Sequence, residues 1–247
     1  QLQNGFIKER PFRSPHHTAS GVSLVGGGKF PRPGEISLAH RGVLFLDEFP
    51  EFPRTVLENL RQPLEDGVIT ISRAQSVLKF PARFILVASQ NPCPCGFSTD
   101  PDRQCACGPS QIARYQKRIS GPLLDRIDLH VEVPRVKFEK LASETMEESS
   151  ANIRERVEAA RQIQTNRFKN TNIHCNSEMR NAEIKEHCKL DNQSIDLLRA
   201  AVTQMHLSAR AYNRILKLAR TIADLGKSDN IGLDHIAEAL QFRAKVE

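Results

Sequence analysis

Two short runs of consecutive apolar residues constrain the fold of this chain more than any other feature. They cover residues 42–46 and 84–88, and each has the length of a typical strand. Uninterrupted apolar runs are typical of strands buried on both faces of a parallel sheet, whereas half-buried strands alternate polar and apolar residues. Residues 54–64 place their apolar side chains on one helical face, and residues 128–133 read as a further strand. The pattern predicts an α/β domain over residues 1–134.

The pattern becomes helical in the C-terminal part. Glycine is rare after about residue 147, and apolar residues recur every three or four positions. The predicted helix N-caps are Ser149 or Ser150, Asp191 and Ser208, and the predicted stop signal is Gly226. After a first helix, further helices are predicted over residues 179–188, 192–205, 208–225 and 232–243. We therefore predict a polar linker over residues 135–150 and an all-α domain over residues 151–247.

Charge and hydropathy narrow the function classes. Lys and Arg total 35 against 29 Asp and Glu, which gives a net charge of +6 and a pI near 9.1. Binding to nucleic acid is a common reason for such an excess, and a mixed solvated surface is the alternative. No apolar run approaches the length of a membrane-spanning helix, and the N-terminus has no signal-peptide pattern. We expect a cytoplasmic protein without a membrane partner, and the lack of an initial Met indicates an excised or processed chain.

The first apolar run ends in two adjacent carboxylates, Asp47 and Glu48. Ligands bind at the carboxyl ends of strands in parallel α/β sheets, so both acids are expected at the site. In nucleotide hydrolysis the first acid of such a pair holds Mg²⁺ through water, and the second polarises the attacking water. Asn91 follows the second run, and its neutral amide can orient that water without adding charge. Arg126 can neutralise a transferring phosphoryl group, and a surface ion pair with a neighbouring Asp is the alternative.

Four of the six cysteines lie within fifteen residues, as the pairs Cys93/Cys95 and Cys105/Cys107. This crowding is unlike the disulfide framework of a secreted protein. Four thiolates suit tetrahedral Zn²⁺, and the Gly after each pair eases a tight turn. Unliganded reduced thiols and a disulfide are the alternatives to a structural zinc ion.

The order of these elements resembles that of the AAA+ ATPases, in which a Walker B strand precedes sensor 1, an arginine finger and a helical lid. Five stretches resemble the magnesium-chelatase-like subfamily in particular: RPFRSPHHT at 10–18, PGEISLAH at 33–40, RQPLED at 61–66, NPCPCG at 91–96 and SARAY at 208–212. The resemblance covers essentially all 247 residues. It implies a P-loop NTPase core, here truncated, with β-hairpin inserts and a following all-α lid.

The resemblance also implies roles for individual residues and for cofactors. Asp47 and Glu48 correspond to Walker B, Asn91 to sensor 1, Arg126 to an arginine finger acting on a neighbour's nucleotide, and Arg210 to sensor 2. Arg214 is the alternative to Arg210, because it lies one helical turn later. A finger that acts in trans implies a homo-oligomeric ring, usually a hexamer, with ATP and Mg²⁺ as cofactors.

A phosphate-binding loop is not found in the sequence. The only Gly-rich stretch ending in Lys, residues 25–29, lacks the spacing and the hydroxyl of G-x-x-x-x-G-K-S/T, and no helix follows it. The resemblance places the loop N-terminal to Arg10, so we expect the chain by itself to bind ATP weakly or not at all. The adjacent His16 and His17 are expected as a loop contact near the nucleotide pocket rather than as metal ligands.

Two stretches resemble the β-hairpin inserts of this AAA+ clade. The first pairs residues 21–25 with 34–38 around Lys29 and Arg32, and the second pairs 68–71 with 77–80 and carries Arg73 and Lys79. Such hairpins face the pore in related ring helicases, so these four cations are the predicted contacts to the DNA backbone, and ordinary solvated hairpin turns are the alternative. Neither hairpin tip is expected to offer an aromatic platform for base stacking.

The implied function is that of an ATP-driven DNA motor, a helicase or branch-migration factor that acts in natural transformation and DNA recombination. A chelatase-type AAA+ ATPase that remodels a protein client is one alternative, and a non-catalytic DNA-binding module is another. The basic hairpins and the net positive charge favour DNA over a protein client.

Overall fold

The computed structural model describes residues 9–73, 76–136 and 148–243. The chain divides into two compact units, Gln1–Ile127 and Asp128–Glu247. Most of the predicted linker, residues 135–150, lies outside the described residues.

A three-stranded parallel sheet organises the first unit. Its strands are β1 (Phe12–Arg13), β4 (Val43–Leu46) and β7 (Ile85–Ala88), in the order β1-β4-β7. Val43 lies opposite Ile85 and Leu46 lies opposite Ala88. Both apolar runs of the sequence therefore form neighbouring parallel strands, as predicted.

The first unit also contains six short helices in its described residues. They are α1 (Gly21–Val25), α2 (Glu35–Leu38), α3 (Arg54–Glu58), α4 (Arg61–Asp66), α5 (Pro109–Gln116) and α6 (Gly121–Leu124). Leu44, Leu46, Leu57 and Leu60 lie in the core that results. The prediction that the runs are buried on both faces is only half right, because Ile85 and Val87 are 53% and 43% exposed. The described residues cover one face of the sheet.

The predicted helix over residues 54–64 is two helices. The chain turns at Asn59 and Leu60, between α3 and α4. Pro63 has no N–H to donate to a carbonyl one turn earlier, so a continuous helix would leave that carbonyl without its partner. In the first turn of α4 a missing N–H costs nothing, because the first N–H groups of any helix lack an internal acceptor.

The first predicted hairpin is much smaller than expected. Its predicted arms, residues 21–25 and 34–38, are largely the helices α1 and α2, and only β2 (Gly26–Gly27) and β3 (Arg32–Pro33) pair. Helix α1 forms because the Ser20 side chain accepts a hydrogen bond from Ser23 N at 3.1 Å. The second hairpin is confirmed, with β5 (Val68–Arg73) antiparallel to β6 (Ser76–Pro81).

The second unit is helical, as predicted. Its helices are α7 (Ser150–Arg167), α8 (Asn181–His187), α9 (Asn192–Gln204), α10 (Ala209–Leu225) and α11 (Leu233–Gln241). Ser149, Asp191 and Ser208 each cap a helix through a side-chain oxygen, and Gly226 ends α10. Ile215, Ala219 and Ile236 are fully buried in the core between these helices.

The strand predicted over residues 128–133 is wrong. In the described structure this segment has no strand partner, and His130 N donates to Phe242 O at 2.8 Å. Val131 and Val133 are 65% and 84% exposed. Alternation of residue types favours a strand only where another strand supplies the hydrogen bonds.

Candidate active site and cysteine cluster

The carboxyl edge of the sheet brings together the ends of β4 and β7. Ser89 N donates to Leu46 O at 3.0 Å, and Phe49 N donates to Ser89 O at 2.9 Å. The Ser89 hydroxyl donates to Asp47 Oδ1, which also accepts a bond from Glu48 N at 2.9 Å. These two hydrogen bonds lower the pKa of Asp47, so its carboxylate is ionised and oriented at neutral pH. Such a carboxylate suits a hydrated Mg²⁺ ion.

Glu48 has an unusual backbone conformation at this edge. Its φ and ψ are 52° and 45°, in the left-handed region that side chains other than Gly seldom adopt. Its side chain is 55% exposed, and Oε2 lies 2.8 Å from Nδ1 of His17. Backbone strain of this kind concentrates at functional sites, where it aims a side chain. The turn presents the Glu48 carboxylate outward, where it can accept a proton from water.

Asn91 lies just after β7, at the same edge of the sheet. Among the hydrogen bonds of the described residues, none joins Asn91 to Asp47 or Glu48. The Asn91 side chain is exposed. Its backbone is hydrogen-bonded to the hydroxyl of Tyr115, a residue that is 6% exposed. Burial raises the pKa of Tyr115, so this hydroxyl stays neutral. Because β4 and β7 pair in parallel, Asn91 lies at the predicted edge, two residues after Ser89, the residue that is bonded to Asp47.

The predicted arginine finger is not at the surface of its unit. Arg126 is 8% exposed and forms an ion pair with Glu65, to which its Nε donates at 3.0 Å. Its Nη1 also donates to the carbonyl of Pro122 at 2.6 Å. The ion pair considered from sequence is therefore present, but the partner is Glu65 on α4 rather than a neighbouring Asp.

The two sensor 2 candidates differ in their surroundings. Arg210 is exposed in the first turn of α10. Arg214, one turn later, is 18% exposed and forms an ion pair with Asp128. The exposure of the two side chains favours Arg210 for contact with a ligand.

The predicted DNA-contact residues lie at the two hairpins. Lys29 and Arg32 are exposed at the first, and Lys79 is exposed on β6 of the second. The side chain of Arg73, at the end of β5, lies outside what the structure describes. The expectation of no aromatic platform is wrong for the first hairpin, because Phe30 is 77% exposed beside Lys29. The short strands β2 and β3 leave Phe30 in the connecting turn, where no core covers it.

The four clustered cysteines converge in space. Their sulfur atoms all lie within 4.8 Å of one another, and all four residues are reduced. The Sγ of Cys93 lies 3.4 Å from that of Cys95 and 3.7 Å from that of Cys105, and the Sγ atoms of Cys95 and Cys105 are 3.5 Å apart. These separations exceed the S–S bond length of about 2.05 Å, so the disulfide alternative does not describe this structure. The cluster could hold a metal ion.

The glycines after the two cysteine pairs play different parts. Gly96 has φ 83°, and its N–H donates to Cys93 O at 3.0 Å, so it closes the tight turn as predicted. Gly108 has φ −71° and instead precedes α5, where its N–H donates to Gln111 Oε1 at 3.0 Å. Its predicted role in a second tight turn is therefore wrong.

Sequence reasoning missed two features of the carboxyl edge. The bond from Ser89 to Asp47 follows from the register of β4 and β7, which no local pattern encodes. The contact of His17 with Glu48 refines the expected loop contact of the two histidines, but its partner depends on the fold. The signal that was available for Ser89 is its position as the first polar residue after β7.

A parallel sheet with paired acids at its carboxyl edge, followed by a helical unit, is the architecture of the magnesium-chelatase type of AAA+ protein. Residues 1–141 match the family model of magnesium chelatase, subunit ChlI, and residues 147–243 match that of the ChlI C-terminal region. The chain therefore belongs to the magnesium-chelatase family.

Three relatives show the extent of the similarity. The chain is 51% identical to competence protein ComM of Haemophilus influenzae, over 97% of the chain and 46% of that protein. It is 47% identical to the protein YifB of Escherichia coli, over 96% of the chain and 46% of that protein. Magnesium-chelatase subunit ChlI of Cyanophora paradoxa is 28% identical over 52% of the chain and 30% of that protein.

The chain spans about half the length of the curated relatives that it matches at 40% identity or more. Among the helices in the described ranges, none combines the length and the apolar character needed to cross a bilayer.

Proposed function

We propose that the whole protein is an AAA+ ATPase that moves on DNA. The observation that carries the proposal is the carboxyl edge of the sheet, where an ionised Asp47 is bonded to Ser89 and an exposed Glu48 follows in a strained turn. In this proposal Asp47 holds the water shell of Mg²⁺ and Glu48 takes a proton from the water that attacks the γ-phosphate of ATP. Asn91 orients that water or contacts the γ-phosphate.

The proposal requires a phosphate-binding loop from outside these 247 residues, since they contain no G-x-x-x-x-G-K-S/T sequence. The chain by itself is therefore expected to bind ATP weakly. A zinc ion at the cysteine cluster completes the proposed cofactors, as a structural metal that takes no part in hydrolysis.

The proposed active form is a homo-oligomeric ring, with six subunits as the family implies. Arg126 is the proposed arginine finger, so the ion pair with Glu65 has to open before the guanidinium reaches a neighbouring nucleotide. Arg210 is the proposed sensor 2 residue, and its exposed position at the start of α10 supports this choice.

The proposed substrate is single-stranded or branched DNA. Lys29 and Arg32 supply exposed positive charge at the first hairpin, and Lys79 does so at the second. Phe30 adds an exposed ring on which a base can stack. The similarity to ComM, a competence protein, supports a role in DNA uptake and recombination, and we propose branch migration during natural transformation as the process.

The test is ATP hydrolysis by the whole protein with and without branched or single-stranded DNA. We expect DNA to stimulate hydrolysis, because a motor couples turnover to its track. If DNA does not change the rate of hydrolysis, the proposal of a DNA motor is wrong and a chelatase-type ATPase acting on a protein client is favoured. The match to subunit ChlI is the observation that supports this second candidate. DNA binding without any hydrolysis would favour a non-catalytic binding module.

The first hairpin gives a second prediction. Replacing both Lys29 and Arg32 by alanine is expected to flatten the dependence of log K for DNA on log salt, by about 0.7–0.9 per lost phosphate contact. The measurement is fluorescence anisotropy with labelled single-stranded DNA over a series of salt concentrations.

A charge-matched control is the double replacement of Lys169 and Lys189, two exposed lysines of the helical unit. The control should leave the slope unchanged. An equal change in both double variants would mean that the hairpin cations act only through net charge. Phe30→Ala is expected to weaken binding at every salt concentration and to keep the slope, because stacking releases no counterion.

A further inference from the structure

The sulfur positions of the cysteine cluster match those around a tetrahedral metal ion. A Zn–S bond of about 2.3 Å places tetrahedral sulfurs about 3.8 Å apart. The three separations among the Sγ atoms of Cys93, Cys95 and Cys105 are 3.4–3.7 Å, and the Sγ of Cys107 lies within 4.8 Å of the other three. Two C-x-C pairs on one loop thus supply four thiol sulfurs at distances that one ion can bridge.

The loop also surrounds these sulfurs with backbone N–H donors. Cys107 N donates to the Sγ of Cys105 at 3.4 Å, and backbone groups of Phe97 and Ala106 are hydrogen-bonded to Cys95. Amides directed at sulfur stabilise thiolates, which are the form that binds metal. Four thiolates this close would repel one another, so the arrangement calls for a soft divalent cation.

The cluster lies directly beside the predicted sensor 1 residue. Cys93 is two residues after Asn91 and is fully buried. The turn of the cluster approaches the Asn91 side chain, since a Cβ atom on Gly96 would lie 4.0 Å from Asn91 Cγ. From the other side, Tyr115 is hydrogen-bonded to the Asn91 backbone. The position of Asn91 thus depends on the conformation of the cysteine loop.

We propose that Cys93, Cys95, Cys105 and Cys107 bind one Zn²⁺ ion, and that this ion fixes the loop that presents Asn91 at the carboxyl edge of the sheet. Asn91 is a positioned residue here, and the ion acts through it without touching the nucleotide. The metal site stands on the geometry alone, whereas its consequence for hydrolysis rests on the proposed function.

The metal site is tested by elemental analysis of protein purified under reducing conditions with zinc in the growth medium. We expect one zinc ion per chain in the wild type and loss of most of it in Cys105→Ser. Cys175→Ser is the matched control, because Cys175 is a thiol of the helical unit outside the cluster. The Cys175→Ser protein should keep one zinc ion per chain.

Wild-type protein without stoichiometric metal, or full zinc in Cys105→Ser, would overturn the site, and iron in place of zinc would overturn the choice of metal. A second measurement avoids any folding defect of the variant. Replacement of zinc by Co²⁺ in the wild type should produce the visible absorption of a tetrahedral thiolate complex, and absence of these bands would also contradict the proposal.

The positioning role is tested by hydrogen exchange before and after zinc is removed by a chelator. Amides of residues 89–97 should exchange faster without zinc, while those of α10 in the helical unit should not change. Unchanged exchange at residues 89–97 would overturn the positioning role. These readouts need no ATPase activity, so a protein that binds zinc and responds in this way but does not hydrolyse ATP would contradict only the proposed function.

Discussion

Glu48→Gln in the whole protein is expected to lower kcat for ATP hydrolysis by about 10²–10⁴ while nucleotide affinity stays close to that of the wild type. The amide has the shape of the carboxylate but cannot accept a proton from the attacking water. Asp47, the proposed Mg²⁺ ligand, keeps its hydrogen bonds from Ser89 and from the backbone of Glu48 in this variant, so the nucleotide should still bind. Steady-state hydrolysis and a separate equilibrium binding measurement with ATP and Mg²⁺ distinguish the two effects.

Glu51→Gln is the matched control for this variant. Glu51 lies three residues further along the chain and is partly exposed in an ion pair with Arg118. Its replacement should leave kcat near the wild-type value, since exposed ion pairs contribute little. Comparable loss of activity in both variants would show that the edge is sensitive to any lost charge. Retained activity in Glu48→Gln would place the catalytic base elsewhere.

Asp224→Ala should destabilise the helical unit by about 3–5 kcal/mol, the usual cost of removing one partner of a buried ion pair. The Asp224 side chain is fully buried, and Arg167 donates to both of its oxygens, at 2.8 and 2.5 Å. Asn176 Nδ2 and Arg220 Nε donate to the same carboxylate at 2.8 and 3.1 Å. Loss of the Asp224 carboxylate removes this counterion from the guanidinium of Arg220, a residue that is 3% exposed.

Urea unfolding followed by circular dichroism at the helical band measures this loss of stability. Asp196→Ala is the matched control, because Asp196 is a 70% exposed residue of the same unit and is paired with Arg199. The free energy of unfolding should change in the control by less than about 1 kcal/mol. Similar values for the two variants would mean that the buried network adds no more than a surface pair.

The same network predicts a pH dependence of unfolding. Burial raises the pKa of Asp224, but the hydrogen bonds from Arg167 and Asn176 and the nearby positive charges outweigh it, so the pKa lies below its ordinary value. The stabilisation is therefore complete above the unfolded-state pKa of about 3.9 and is lost as the pH falls through the lower pKa of the folded state. Asp224→Ala should lack this part of the acid sensitivity.

From the sequence, the candidate site could be predicted only for residues that are neighbours in the chain or that follow parallel strands. Asp47 and Glu48 follow one apolar run and Asn91 follows another, so the rule for parallel sheets brings them to one edge. The partner of each side chain was not accessible in this way. Arg126 was expected at the surface, but α4 brings Glu65 against it, and a contact over 61 positions leaves no local pattern.

The sequence alone determined the class of fold, the paired acids at a strand end, the helices of the second unit and the four cysteines as a candidate metal site. Each of these depends on the spacing of residues within one segment, where periodicity, capping and chelate geometry operate. Tertiary structure decided which strands find a partner, which helices replace the predicted hairpin arms, and which ionic groups are buried. The exposed Phe30, the strandless segment 128–133 and the contact of His17 with Glu48 depend on packing between distant parts of the chain, which local spacing does not specify.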